Sequence, residues 1–419
     1  METRLELGKY SVGVGDRFEH EAEAQLQACI MALDQGVEVV PVWNKSNREH
    51  LIIGSDPAGT RASADRAVAN LGWNQSYFVD ADHIRLDTVD RFIPHSDFYT
   101  IDVADYIGQP AEEAVVAQFI SAHPELSHAT ELPGVFEALH SAPEVLGQIA
   151  RHYLLAVNQA ARVYHHIAAA RQGRAFVTEV SLDETDKPQS ALDLLVLLAA
   201  LADQGVPIQT IAPRFCGAFH KGIDYVGEVD EFEKQFRAHL AVIALAVIRY
   251  ALPKNLKLSL HSGSDKFSLY AAVRSALADF DAGLHLKTAG TTWLEEFIGL
   301  VEGGGEGLVV GKEIAVAALE RLDELCAPYQ NVISINRSRL PTAESIRQWS
   351  PAQFADAVRH DTRNPTYNSD LRQLLHVSYK LAAERRAEFD QALETCRAAV
   401  NRNVTGNLFE RHLRPVFIG

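Results

Sequence analysis

Tyr77-Phe78-Val79-Asp80-Ala81-Asp82-His83 is a short β-rich apolar run that stops in a knot of ionisable side chains. The same design recurs before it in Val42-Trp43-Asn44-Lys45-Ser46-Asn47-Arg48 and after it in Phe98-Tyr99-Thr100-Ile101-Asp102-Val103-Ala104-Asp105. Residues 176–183, 208–214, 256–262 and 284–288 repeat it. Parallel strands buried on both faces read as continuous aliphatic and β-branched residues, and in α/β folds the reactive groups collect just past their C-terminal ends. These endings therefore predict one shared active site.

Segments of helical periodicity lie between the runs, over residues 21–33, 62–71, 192–201, 232–250 and 269–277. Alternating strand and helix patterns imply parallel strands joined by crossover helices. A closed barrel is favoured over an open sheet for two reasons. Functional-looking residues follow nearly every strand, whereas an open sheet gathers its ligand at one switch point, and no G-x-G-x-x-G follows an early strand. The expected fold is α/β, a (β/α)8 TIM-barrel-like domain spanning residues 1–419. Nearly pure helical pattern predicts a helical insertion at about 131–171, with helices over 145–155 and 157–170, and a helical C-terminal extension at about 315–419.

The chain of 419 residues, 47% hydrophobic and 22% charged, is that of a folded protein with a sizeable core. A formal net charge of −16 argues against nucleic-acid or anionic-membrane binding, but leaves room for a small anionic substrate in a basic pocket. Cys29, Cys216, Cys326 and Cys396 are far apart and form no C-x-x-C pair, so no disulfide framework is expected. With no secretory pattern at the N-terminus, a cytoplasmic location is expected. The apolar stretches 191–202 and 240–247 are too short to span a bilayer and read as buried helices.

Glu179, His220, His261 and His285, on separate strand endings, are candidates to converge on a divalent metal. Glu179 sits among Val177, Thr178 and Val180, where a carboxylate needs a cation or a donor; an ion pair with Arg214 or Lys287 would also satisfy it. Asp80 and Asp82 point to the same side of a strand, and Asp82 is the candidate acid/base. Asn44, Lys45, Arg48, Arg214, Lys221, Lys266 and Lys287 form a basic and amide set suited to a carboxylate or phosphate. The run Gly303-Gly304-Gly305-Glu306-Gly307 lacks a P-loop motif and reads as a loop before Leu308. Ala289-Gly290-Thr291-Thr292-Trp293 reads as a strand-to-helix turn.

Taken together, residues 41–50, 77–84 and 97–108 resemble the tagaturonate epimerase family, and Thr178-Glu179-Val180-Ser181 and residues 260–267 extend the likeness. The resemblance implies a metal-dependent enzyme of bacterial hexuronate breakdown that interconverts tagaturonate and fructuronate. It also implies that Asp82 and Glu179 are the acidic catalytic positions, with His220 and His261 among the metal ligands. A ketone, hydroxyls and a carboxylate on a sugar-acid substrate match a metal, acid/base groups and a basic pocket, with Asn44, Ser262 and Thr288 meeting hydroxyls. His and carboxylate ligands suit zinc, manganese, nickel and cobalt alike. Retro-aldol cleavage and re-addition is the expected mechanism. Rival readings are an epimerase or isomerase of uncharged ketohexoses and a non-catalytic sugar-acid sensor.

Overall fold

The computed structural model describes residues 7–132, 134, 135, 139, 142–288 and 290–419. Eight parallel strands close into a barrel in chain order: β1 (Tyr10–Gly15), β2 (Val39–Ser46), β3 (Phe78–Ile84), β4 (Phe98–Asp102), β5 (Val177–Ser181), β6 (Thr210–Ala212), β7 (Lys257–His261) and β8 (Leu284–Lys287). All but β1 correspond to the runs read from the sequence. In β1, Tyr10-Ser11-Val12-Gly13-Val14-Gly15, two glycines thin the apolar signal.

Alternation along each strand divides the barrel interior into layers. Val40, Val42, Phe78, Phe98 and Val177 pack with Leu7 as an apolar floor. Two residues further along the same strands, the side chains turn polar: Asn44, Asp80, Thr100 and Glu179, which the register sets side by side as Asn44↔Asp80 and Thr100↔Glu179. The larger apolar surfaces of the strands face the surrounding helices, and Ala191–Asp203 and Val229–Arg249 contribute the buried runs expected of them.

Helix Pro143–Arg171 lies between β4 and β5 as one continuous element across the two helical segments read from the sequence. Past β8, helices Thr291–Gly303, Gly305–Glu320, Pro351–Val358, Ser369–His376 and Arg397–Gly406 build a second apolar core. The glycine run, read from the sequence as a loop before Leu308, is a junction between two helices. Only Gly304, at φ 70°, breaks the helices, while a Cβ on Gly303 or Gly307 would lie 2.4 or 2.6 Å from Cys396 Sγ. Small size lets these helices approach, and Ala289 lies outside the described residues. All four cysteines are free. Among the described residues, no helix is long and apolar enough to cross a membrane.

Candidate active site

Lys287, the last residue of β8, reaches across the barrel interior because β1 places a glycine beside it. A Cβ on Gly13 would lie 2.8 Å from Lys287 Cγ. The ammonium stands 2.8 Å from Asp80 Oδ2, 2.6 Å from Asp82 Oδ1 and 3.3 Å from Glu179 Oε1. It also donates to Thr100 Oγ1 at 2.8 Å, and Thr100 donates in turn to Asp80. The three carboxylates raise the lysine well above its ordinary range against the penalty of burial. Burial pushes Asp80 up to about 6, with Lys287 opposing the shift and Asp82 adding to it.

Glu179 is fully buried beneath the mouth, and its Oε1 also takes His261 Nε2 at 2.8 Å. The other face of that imidazole, Nδ1, is 3.0 Å from Asp183 Oδ2. Burial disfavours charge on His261, but Asp183 and Glu179 outweigh it and lift the imidazole to about 10. Glu179 is held well below the carboxylate range despite burial, chiefly by Lys287 and His261.

His83 completes this corner, and a backbone irregularity brings it there. The pairing of β3 with β4 shifts register between Ala81 and Ile84, and His83 takes φ 51°. A bulge of this kind re-aims a side chain that strict alternation would direct away from Asp82. The ring of His83 packs edge-on to His261 at 5.6 Å between centroids, and its Nδ1 has no hydrogen-bond partner among the described residues. Ligating atoms of His83, Asp183 and His261 all lie within 4.8 Å of one another, a grouping able to hold a metal ion. Two imidazoles and one carboxylate suit a first-row divalent metal.

A cavity of about 390 Å³ opens over these groups. Six cationic side chains and six carboxylates line it, so within a chain of net charge −16 the mouth is balanced enough to admit an anion. Of the residues singled out from sequence, Asn44, Arg48, Asp82, Arg214, Lys221, His261, Ser262 and Lys287 line this cavity. Asn44 is 2% exposed with neither amide atom partnered among the described residues.

The other candidates sit elsewhere. Lys45 points out of the barrel to Arg17 O at 2.7 Å and Glu19 at 3.0 Å. Lys266 is buried under the helices that follow β8, which form a helical cap on the barrel, and it donates to the carbonyls of His220 and Ile223 at 3.1 and 2.7 Å. His220 is half-buried, outside the cavity lining and outside the triad. His285 is buried deeper in the barrel beside Ser11 Oγ at 2.9 Å, and burial drops it to about 3, leaving it neutral. Sequence reasoning passed over Arg17, His83, Asp183, His376 and Tyr379. For His83 and Asp183 the signal was present, since both end runs already quoted.

A closed parallel barrel that gathers titratable and metal-capable side chains past the C-terminal ends of its strands defines a TIM-barrel enzyme. The family model for tagaturonate epimerase, UxaE, matches residues 2–395, and the chain belongs to that family. It is therefore an isomerase, a carbohydrate epimerase of a family whose substrates are small sugar acids. The chain is 28% identical over 384 residues to a tagaturonate/fructuronate epimerase of Thermotoga maritima, covering 88% of this chain and 72% of the relative. A glycerol-bound crystal structure of fructuronate-tagaturonate epimerase UxaE from Cohnella laeviribosi matches with a TM-score of 0.81 at 25% identity, over 100% of this chain and 83% of that one. The native crystal structure of the same enzyme matches at 0.76, with 25% identity over 97% and 82%.

Proposed function

We propose that this protein interconverts tagaturonate and fructuronate in the cytoplasm, using a divalent metal held by His83, Asp183 and His261. The observation that carries this reading is the convergence in one cavity of that donor set with Asp82 and Lys287. In this reading His261 is a ligand, and Glu179, 2.8 Å from its Nε2, stands behind it and orients the ring rather than joining the ligand set. The metal would supply Lewis acidity toward the ketone end of the substrate.

The two ketouronates differ at a carbon β to the ketone, whose hydrogen enolisation does not acidify. Retro-aldol cleavage avoids that obstacle. Asp82 takes the proton of the hydroxyl on the inverting carbon, and that carbon becomes an aldehyde. The bond to the carbon beside the ketone breaks, and its electron pair is stored as the enolate. Re-addition to the opposite aldehyde face returns the proton from Asp82. Asn44, Arg48, Arg214, Lys221, Ser262 and Lys287 line the space where the substrate would be held. The helical region past β8 completes the same domain by walling this mouth with Tyr329, His376 and Tyr379.

The test is metal analysis with chelation and add-back, assayed on tagaturonate. Loss and recovery of turnover, together with weakened metal binding in His83→Ala and Asp183→Asn, are expected. Full activity and undiminished metal in both variants would overturn the ligand assignment. Solvent deuterium at the inverted carbon would replace retro-aldol chemistry with proton exchange.

A further inference from the structure

We propose, resting on the sugar-acid reading above, that Arg17 receives the carboxylate of the substrate and tethers the aldehyde fragment while the other half is held across the barrel. Arg17 lies two residues past β1, is 7% exposed and lines the cavity. Its Nε donates to Glu49 Oε1 at 2.8 Å, and its guanidinium carbon lies over the Tyr379 ring, 4.2 Å from the centroid. Glu49 is itself fixed, because Ser46 and Glu49 form a capping box at the start of helix Asn47–Ile53. The guanidinium is thus clamped in one orientation, yet its Nη1 has no hydrogen-bond partner among the described residues.

Buried guanidinium donors are rarely left unmet, and the planar fork of arginine matches a carboxylate. The same wall carries Arg48, whose guanidinium carbon is 5.2 Å from the Tyr329 ring centroid, and His376, 3% exposed with Nδ1 unpartnered among the described residues. Burial and the neighbouring cations keep His376 neutral, so the charge there belongs to the arginines. In the closed strand order β1 stands opposite β5, and the triad comes from β3, β5 and β7. A ketouronate carries its ketone near one end and its carboxylate at the other, which fits a substrate stretched between the two walls. When the central bond breaks, the aldehyde fragment keeps the carboxylate. A grip at that single end lets the aldehyde turn its other face without leaving.

Two measurements on the full-length enzyme decide this. Arg17→Lys, which keeps a cation against Glu49, should raise KM for tagaturonate roughly ten- to hundredfold with a smaller change in kcat. It should also release more three-carbon aldehyde acid, trapped with a hydrazine. Arg17→Met should raise KM further; if it does not fold, the lysine variant decides alone. Calorimetry with malonate reads the subsite without turnover, so failure of the wild type to convert tagaturonate is separable from failure of this proposal. Weaker malonate binding by Arg17→Lys supports the tether. Wild-type KM and wild-type malonate affinity in folded variants would overturn it.

Discussion

Two buried clusters of charge, one at the barrel mouth and one under the helical cap, differ in how fully their polar atoms are used. Under the cap, Asp265 Oδ2 takes Arg372 at 2.8 Å and His360 at 3.0 Å, while Oδ1 takes His412 at 3.2 Å and Thr291 at 3.4 Å. Arg372 spends its remaining nitrogens on the carbonyls of Gly222 and Val358 at 2.7 and 2.8 Å. At the mouth, by contrast, Glu179 Oε2, both amide atoms of Asn44, Arg17 Nη1, His83 Nδ1 and His376 Nδ1 lack partners among the described residues. A satisfied network specifies a fold, and one left open beside a cavity is poised for a ligand.

The sharpest way to break this comparison is at the mouth. Asp82→Asn should lower kcat by about two to four orders of magnitude while the melting temperature moves little, as expected for loss of a proton-transfer group. Near-normal turnover would remove Asp82 from the chemistry. Under the helices that follow β8, Asp265→Ala should instead cost about 3–5 kcal/mol of stability in denaturant titrations, because Arg372 loses its 2.8 Å carboxylate partner and keeps only Glu295, 3.7 Å away. Its turnover per folded molecule should stay within severalfold of wild type, and a selective loss of kcat would merge the two clusters into one functional unit.

A third site sharpens the contrast through pH. Glu21 is buried near Asp16, and burial with that like charge raises its carboxyl to about 8. Below the ordinary carboxylate range it is protonated in both folded and unfolded chains and contributes no pH dependence. As pH rises from about 4.5 toward about 8, the unfolded chain ionises first, so stability is lost across that window. Glu21→Gln should flatten the decline, by roughly 1–3 kcal/mol between pH 5 and 8 in denaturant melts. An unchanged slope would show that Glu21 ionises without hindrance. The smallest effect is expected for His220→Ala, which removes neither cavity lining nor a triad atom; kcat and bound metal should stay within about twofold of wild type. Loss of metal there would restore His220 to the ligand set.

How much of this was legible depended on whether a signal was local. The barrel could be read because β2 to β8 each carry their own apolar run and polar ending, and Glu179, Asp82, His261 and Lys287 inherit their inward direction from strand alternation. β1 was hidden by Gly13 and Gly15, and Arg17, which depends on that strand, was hidden with it. His83 was visible as a residue but not as a neighbour of His261, because a register shift and a positive φ are not written in alternation. Lys45 was misleading for the converse reason: it follows Asn44 by one residue and so faces the opposite side of β2. His376 and Tyr379 come from helices whose packing onto the mouth is set by distant contacts, and periodicity does not say which turn meets the cavity.

The space that Gly13 leaves beside Lys287 couples two strands that are far apart in sequence and adjacent in the sheet. The interior of a small barrel is a shared volume, so a methyl group at position 13 and a long cation at position 287 compete for the same few cubic ångströms. Enlarging the first is tolerable only with shortening of the second. The reach of Lys287 to its carboxylates is therefore a joint property of β1 and β8, and any redesign of one strand has to be made together with the other.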